Sequence, residues 1–418
     1  MKKIMMSAVA LTAIMGSVST VSAANGVNIL DNIKVKGQIR PRYENVDDGN
    51  TATKNANAYT ARTKLTVTGN LFGMDGLAAS VGIISVNDFG SNTYNSTSNG
   101  QTQYAVVADP EKAMISNAEV NYVTGKTVMH AGRGQVNLDN QRFIGTVGWR
   151  QLERSYDSVF IANNSVKNLS VLAAWVYGLQ GVKSLRNNNG PYGENTYDTN
   201  TVLLHAAYTV MPALKITAYD YMISSVHDTY GVALTGKINA GAKLSYRAEY
   251  AMQKDASMKI HNASAKADAS YMNLDVGANI SGVLAGVNYE FLSGTTGTDG
   301  KTAFACTLGT NHKFNGWADM FLATPTGGLK DMNARLGYKA KGFGKLLAVY
   351  HKFTTDKTMG GKDDLGTELD MVYANKIPGV NGLSGLVKYA SYSKGTVAGY
   401  TNDVQKAWLG LDYKFSTK

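Results

Sequence analysis

The stretch Ile33–Glu44, IKVKGQIRPRYE, decides the fold. Ile33, Val35, Gly37, Ile39, Pro41 and Tyr43 occupy its odd positions, and Lys34, Lys36, Gln38, Arg40, Arg42 and Glu44 its even ones. A β-strand points alternate side chains to opposite faces, so this segment carries one apolar face and one charged face. A water-soluble antiparallel sheet could show the same pattern. Two features of the surrounding sequence favour a membrane: an export leader before the stretch, and many segments of the same kind after it. In that setting the apolar face meets lipid and the charged face lines a water-filled lumen.

The leader is read from Met1-Lys2-Lys3, the apolar run Ile4–Val18 and the small-residue end Val21-Ser22-Ala23. This combination predicts a signal peptide over residues 1–23, removed on export. An uncleaved anchor fits less well, because the apolar run is short and broken by Ser and Thr. Residues 24–418 are expected to form one domain, since no linker, low-complexity tract or composition shift divides them. The single cysteine, Cys306, rules out an intramolecular disulfide and a multi-cysteine metal site. A mean hydropathy just below zero suits a barrel in which only alternate residues face lipid. Gly is abundant at 44 and Pro scarce at 6, as many strands joined by tight turns require. The formal net charge of +10 admits nucleic acid, anionic headgroups or anionic solutes as partners. Its placement on alternate strand positions favours solutes inside a pore and argues against nucleic acid.

Alternation recurs along the chain. Tyr59–Leu71 sets Arg62, Lys64, Thr66 and Thr68 opposite Ala61, Leu65 and Val67, and Leu244–Gln253 sets Arg247 and Glu249 opposite Tyr246, Ala248 and Tyr250. Ala407–Phe415 closes the series, with Leu409, Leu411 and Tyr413 opposite Trp408, Gly410 and Asp412. The spacing predicts an all-β, antiparallel up-and-down transmembrane barrel of about eighteen strands. Extracellular loops are expected over Asp88–Lys112, Gln180–Asn200, Lys254–Ala269, Gly294–Lys330, Thr355–Gly366 and Lys394–Val404.

Gly132–Asp157, GRGQVNLDNQRFIGTVGWRQLERSYD, breaks the alternation and crowds Arg133, Arg142, Arg150 and Arg154 among Asp139, Glu153 and Asp157. It reads as a loop folded into the lumen and tied by guanidinium–carboxylate bonds. The GR-x-Q, D-x-QRF-x-G and GWRQ segments with the later YD resemble the alginate export family of outer-membrane barrels, in its porin-like members. HKFNGWADMFLATPTGGLKD from His312, YHKF from Tyr350 with GTELD from Gly366, and the R-x-R-x-E of Arg40, Arg42 and Glu44 extend the resemblance over roughly Val35–Phe415. Ser416-Thr417-Lys418 follow Phe415, where the family commonly ends on an aromatic. The resemblance implies a pore for an acidic polysaccharide such as alginate, or for small anionic metabolites. The barrel is expected to be a monomer in the outer membrane of a Gram-negative-type bacterium, with outer-membrane lipid and the barrel-assembly machinery as partners.

The residues expected to line the pore are Arg40, Arg42, Arg62, Lys64, Arg133, Arg142, Arg150, Arg247, Glu368 and Asp370. Each arginine is either available to an anionic solute or already paired with a carboxylate inside the barrel. Glu368 and Asp370 share a strand face and could serve acid–base chemistry, though in a basic pore counter-ions to Arg are the better reading. The segment holding His312, Trp317, Asp319 and Asp331 is either a second inward fold or an ordered extracellular loop. His351 lacks partners at metal-ligand spacing, so a structural role is expected and no metal or cofactor is. No G-x-S-x-G, H-E-x-x-H or P-loop is present, so no enzyme is expected. The function expected is passive diffusion of hydrophilic, preferentially anionic solutes. Its alternatives are a broad non-selective porin, an adhesin or structural barrel with a plugged lumen, and, third, an outer-membrane hydrolase.

Overall fold

The computed structural model describes residues 21–22, 28–183, 196–258, 266–298 and 300–417. The expected leader, apart from Val21–Ser22, lies outside them, as do parts of the loops expected over Gln180–Asn200 and Lys254–Ala269.

Each long strand pairs antiparallel with its sequence neighbours, and the sheet closes where Asn28–Asp47 pairs with Val404–Ser416. Of the twenty strands described, Val21–Ser22 and Lys301–Thr302 are two residues long. The other eighteen form the closed wall, in agreement with the count expected from the alternation. Closure leaves no exposed strand edge, which is what a bilayer demands of a sheet.

The closing seam explains two features of the sequence. Gly37 stands opposite Phe415, whose ring fills the space a Cβ at position 37 would need. The residues beyond Phe415 extend the seam: Thr417 N donates to Val35 O at 2.9 Å, and Val35 N donates to Thr417 Oγ1 at 3.0 Å. Pro41, which has no N–H, sits where the seam ladder skips.

Both faces follow the alternation. Leu336, Met332, Val287, Leu409 and Val276 are 55–64% exposed on the outside. So large an apolar exterior fits lipid and would be a liability in water. Tyr338, Phe343 and Tyr373 form an aromatic cluster at the short-turn end, ring centroids 5.4 and 5.6 Å apart. Arg42, Glu44, Arg62, Glu249, Glu290, Asp331, Glu368 and Asp370 are buried on the inside. Leu336→Arg, near the middle of the lipid face, is expected to destabilise the barrel by about 2–4 kcal/mol. Reversible denaturant unfolding in lipid vesicles measures this; an unchanged midpoint would contradict a lipid-facing Leu336.

The two ends differ as expected, with one correction. Thr355–Gly366, expected as a loop, is mostly strand. The strands Gly344–Met359 and Lys362–Lys376 run through it to a two-residue turn at Gly360-Gly361. Both glycines have positive φ (61° and 78°), the conformation a tight hairpin turn needs.

Candidate functional site: loops folded into the lumen

Among the described residues, at least three loops enter the barrel. The segment 135–154 does so as its sequence suggested. Its Phe143 packs among Tyr219, Tyr271 and Phe304, with centroids 5.5, 5.1 and 5.8 Å away. These rings form part of an apolar seat inside an otherwise polar lumen. The segment 293–328, for which two readings stood open, also turns inward and is stitched to the first. Gly145 N donates to Leu308 O, and Thr310 N to Gln141 O, both at 2.9 Å. The third loop, 88–111, was expected outside, yet its Asp109 is fully buried beside Arg42 and Arg150. A carboxylate that meets two guanidinium groups inside the wall draws the loop end in with it.

The wall strands hold these loops by charge. Arg40 donates to the carbonyls of Gly148 (2.9 Å) and Arg150 and to Gln151 Oε1 (3.1 Å). Arg42 donates to Trp149 O at 2.7 Å and pairs with Asp109. Arg150 reaches back from the loop to Glu44 at 3.2 Å and across to Asp319 at 3.1 Å. Arg62 and Lys64 converge on Glu153 at 2.7 and 2.5 Å. Burial alone would raise the Glu153 pKa, but these two cations more than reverse that and hold the carboxyl below its usual value. Val147, a β-branched residue with φ of 54°, marks where this loop bends under strain.

The other expected site residues also have partners, Arg142 on the first loop and the rest on the wall. Arg142 is buried, 2.9 Å from Glu290 and 2.8 Å from Asn315. Arg133 binds Asp157 through two bonds of 2.6 and 2.7 Å. Arg247 pairs with Glu249 at 2.7 Å and with Asp139. Glu368 accepts Ala318 N at 2.6 Å and Asp370 accepts Trp317 N at 3.1 Å. That arrangement makes the two carboxylates anchors for the 293–328 loop, and among the described residues neither bonds an arginine. His351 is held by Asp331 at 2.9 Å. No group of three or more His, Cys, Asp or Glu with metal-binding geometry occurs among the described residues.

Beneath the loops, toward the short-turn end, lies a cavity of about 660 Å³. Lys36, Gln38, Lys64, Lys414, Glu119 and Gln135 stand among its lining groups. Arg40, just above, pairs across strands with Arg62 and, among the described residues, bonds no carboxylate.

This barrel is similar in fold to the Occ barrels. It superposes on Acinetobacter baumannii OccAB4 with a TM-score of 0.73 and 16% identity, covering 93% of this chain and 99% of that one. Pseudomonas aeruginosa OccK8 (OprE) gives 0.72 and 15%, covering 93% and 100%. Pseudomonas aeruginosa OccD3 (OpdP) gives 0.68 and 15%, covering 97% and 98%. No family model matches the chain, and no curated protein matches it by sequence. The likeness therefore extends to the fold, and the alginate export resemblance rests on the motifs quoted above.

Sequence reading missed Asp109, Glu290, Lys388 and Lys406 as members of this network. Lys388 and Lys406 had a signal, since alternation from Val387 and Ala407 turns both inward. Asp109 had none, because nothing local marks one loop carboxylate as the partner of a strand arginine.

His312 joins the network as a neutral ring. Its Nδ1 donates to Asp319 at 2.5 Å and its Nε2 accepts from Lys388 at 2.7 Å. Burial, working against Asp319, pushes its pKa down to about 3. A lowered histidine pKa stabilises the fold fully above the unfolded value near 6.5, and the contribution fades as pH falls toward 3. Glu153 acts in the same direction, below about pH 4.5. Acidification from pH 7 to pH 4 is therefore expected to lower the melting temperature of the parent more than that of a His312→Gln variant, followed by the heat-dependent gel shift of the folded barrel. Equal changes in the two would contradict a buried neutral His312.

Proposed function

We propose that this chain is an outer-membrane porin for passive diffusion of hydrophilic solutes, with a preference for anions. The observation that carries the reading is the charge surplus beside the cavity. Among the described residues, Arg40, Arg62 and Lys64 between them bond one carboxylate, Glu153, while Lys36, Lys64 and Lys414 line the space below against Glu119 and Asp412, the latter 3.3 Å from Lys414. Fixed positive charge on a low-dielectric wall raises the local anion concentration and lowers the barrier to anion entry. The closed barrel, its apolar exterior and its likeness in fold to the Occ barrels support a channel in the outer membrane of a Gram-negative-type bacterium.

The solutes we assign are small hydrophilic anions. An acidic polysaccharide such as alginate, implied by the motif resemblance, is the extended form of the same chemistry: repeated carboxylates among hydroxyl groups. Water and lumen side chains suffice for this diffusion, so the mechanism includes no catalytic step or cofactor. The reading treats the barrel as a monomer.

Planar-bilayer recording in asymmetric salt tests the proposal. A reversal potential biased toward the anion is expected, with block by alginate oligomers if the polymer form is correct. Equal cation and anion permeability would point to a broad, non-selective pore. Absence of current from the folded barrel would point to a plugged adhesin or structural barrel, and either result would overturn the assignment.

A further inference from the structure

Lys388 lies on the inner wall, 6% exposed, and its ammonium donates to His312 Nε2 at 2.7 Å. Its ammonium sits 4.0 Å from the ring centroid of Trp317, 4.2 Å from Trp149 and 5.0 Å from Trp408. The chain has four tryptophans, so three of them meet at this one cation. Trp149 belongs to the 135–154 loop, Trp317 and His312 to the 293–328 loop, and Trp408 to the adjacent wall strand. Trp149 stacks on His312 at 4.9 Å with the planes 10° apart. Among the described residues, the buried indole N–H groups of Trp149 and Trp408 find no hydrogen-bond partner, so these rings are held by their faces. An aromatic face attracts a desolvated ammonium through its quadrupole.

The geometry points to Lys388 as the positioning residue that latches both lumen loops to the wall and so sets the width of the passage. The inference rests on the porin reading for its consequence and on the cage for its structure. A cation on the wall touches one loop through Trp149 and the other through Trp317 and His312. Asp319 completes the ring of contacts: it binds His312, Arg150 from the first loop at 3.1 Å and Lys406 from the wall at 3.0 Å. Removing the ammonium leaves the rings without the charge that gathers them, whereas the barrel ladder, formed by main-chain bonds, does not depend on it.

The test compares Lys388→Met, which keeps length and loses charge, with Lys388→Arg, which keeps charge and cation–π capacity. Trp317→Leu removes the contact from the loop side, where it cannot block closure of the wall. Intrinsic fluorescence of the folded barrel reads the latch without any current. Lys388→Met and Trp317→Leu are expected to increase the fraction of indoles quenched by iodide. Both are expected to raise single-channel conductance and the size of polyethylene glycol that enters the pore. Lys388→Arg is expected to restore narrow conductance at least in part. Unchanged quenching and unchanged conductance in both uncharging variants would overturn the latch. Increased quenching with no current in any form, the parent included, would leave the latch standing and remove the porin reading.

Discussion

Arg150→Ala is expected to destabilise the loop assembly by about 3–5 kcal/mol and to raise the channel's conductance. Arg150 meets Glu44 and Asp319, whose side chains are 1% and 5% exposed. Deleting one partner of a buried ion pair leaves a charge without water or counter-ion, and that penalty dominates. Arg42 stays 3.4 Å from Glu44, and Lys406 stays 3.0 Å from Asp319. These remaining contacts place the loss toward the lower end of the range. Arg150→Lys keeps one charge but cannot span two carboxylates as a fork does, so an intermediate loss is expected. Denaturant unfolding in vesicles and single-channel recording check both effects. An alanine variant as stable and as narrow as the parent would show that the loop is held in some other way.

Arg40→Ala carries the second large effect, because Arg40 does two things at once. It clamps the first loop through the Gly148 and Arg150 carbonyls and the Gln151 side chain, and among the described residues it bonds no carboxylate. Hydrogen bonds to a charged group are each worth about 1.5–3 kcal/mol net. Losing the set loosens the loop, and losing the charge weakens the anion bias. Arg40→Lys separates the two, since it keeps the charge but not the three-way fork. The alanine variant is expected to shift the reversal potential toward zero. The lysine variant is expected to keep the potential while conductance rises. A reversal potential untouched in Arg40→Ala would remove Arg40 from the selectivity argument.

How much of this was legible beforehand depends on the range of the interaction concerned. Strand alternation is local, and Ile33–Glu44, Tyr59–Leu71 and Leu244–Gln253 each carry it without help from elsewhere. The inward loop 135–154 was legible because its composition departs so sharply from that pattern. The polar residues of Thr355–Gly366 resemble a loop, whereas strand conformation continues through them to the Gly360-Gly361 turn, with a register shift between Thr354 and Met359. Glu368 and Asp370 were legible as a pair on one face. Their bonding to the amides of Ala318 and Trp317 was not, since main-chain donors about fifty residues away leave no trace in the strand.

The order of residues along the chain determined the wall: which side chains meet lipid, which meet the lumen, and about how many times the chain crosses. Those properties follow from a two-residue period and from turn residues, both of which act between near neighbours. Tertiary structure alone decided the interior wiring: Asp109 beside Arg42, Glu290 beside Arg142, and three indoles around Lys388. Charge and quadrupole attractions join whichever groups the closed barrel brings together, and closure places residues hundreds of positions apart within a few ångströms.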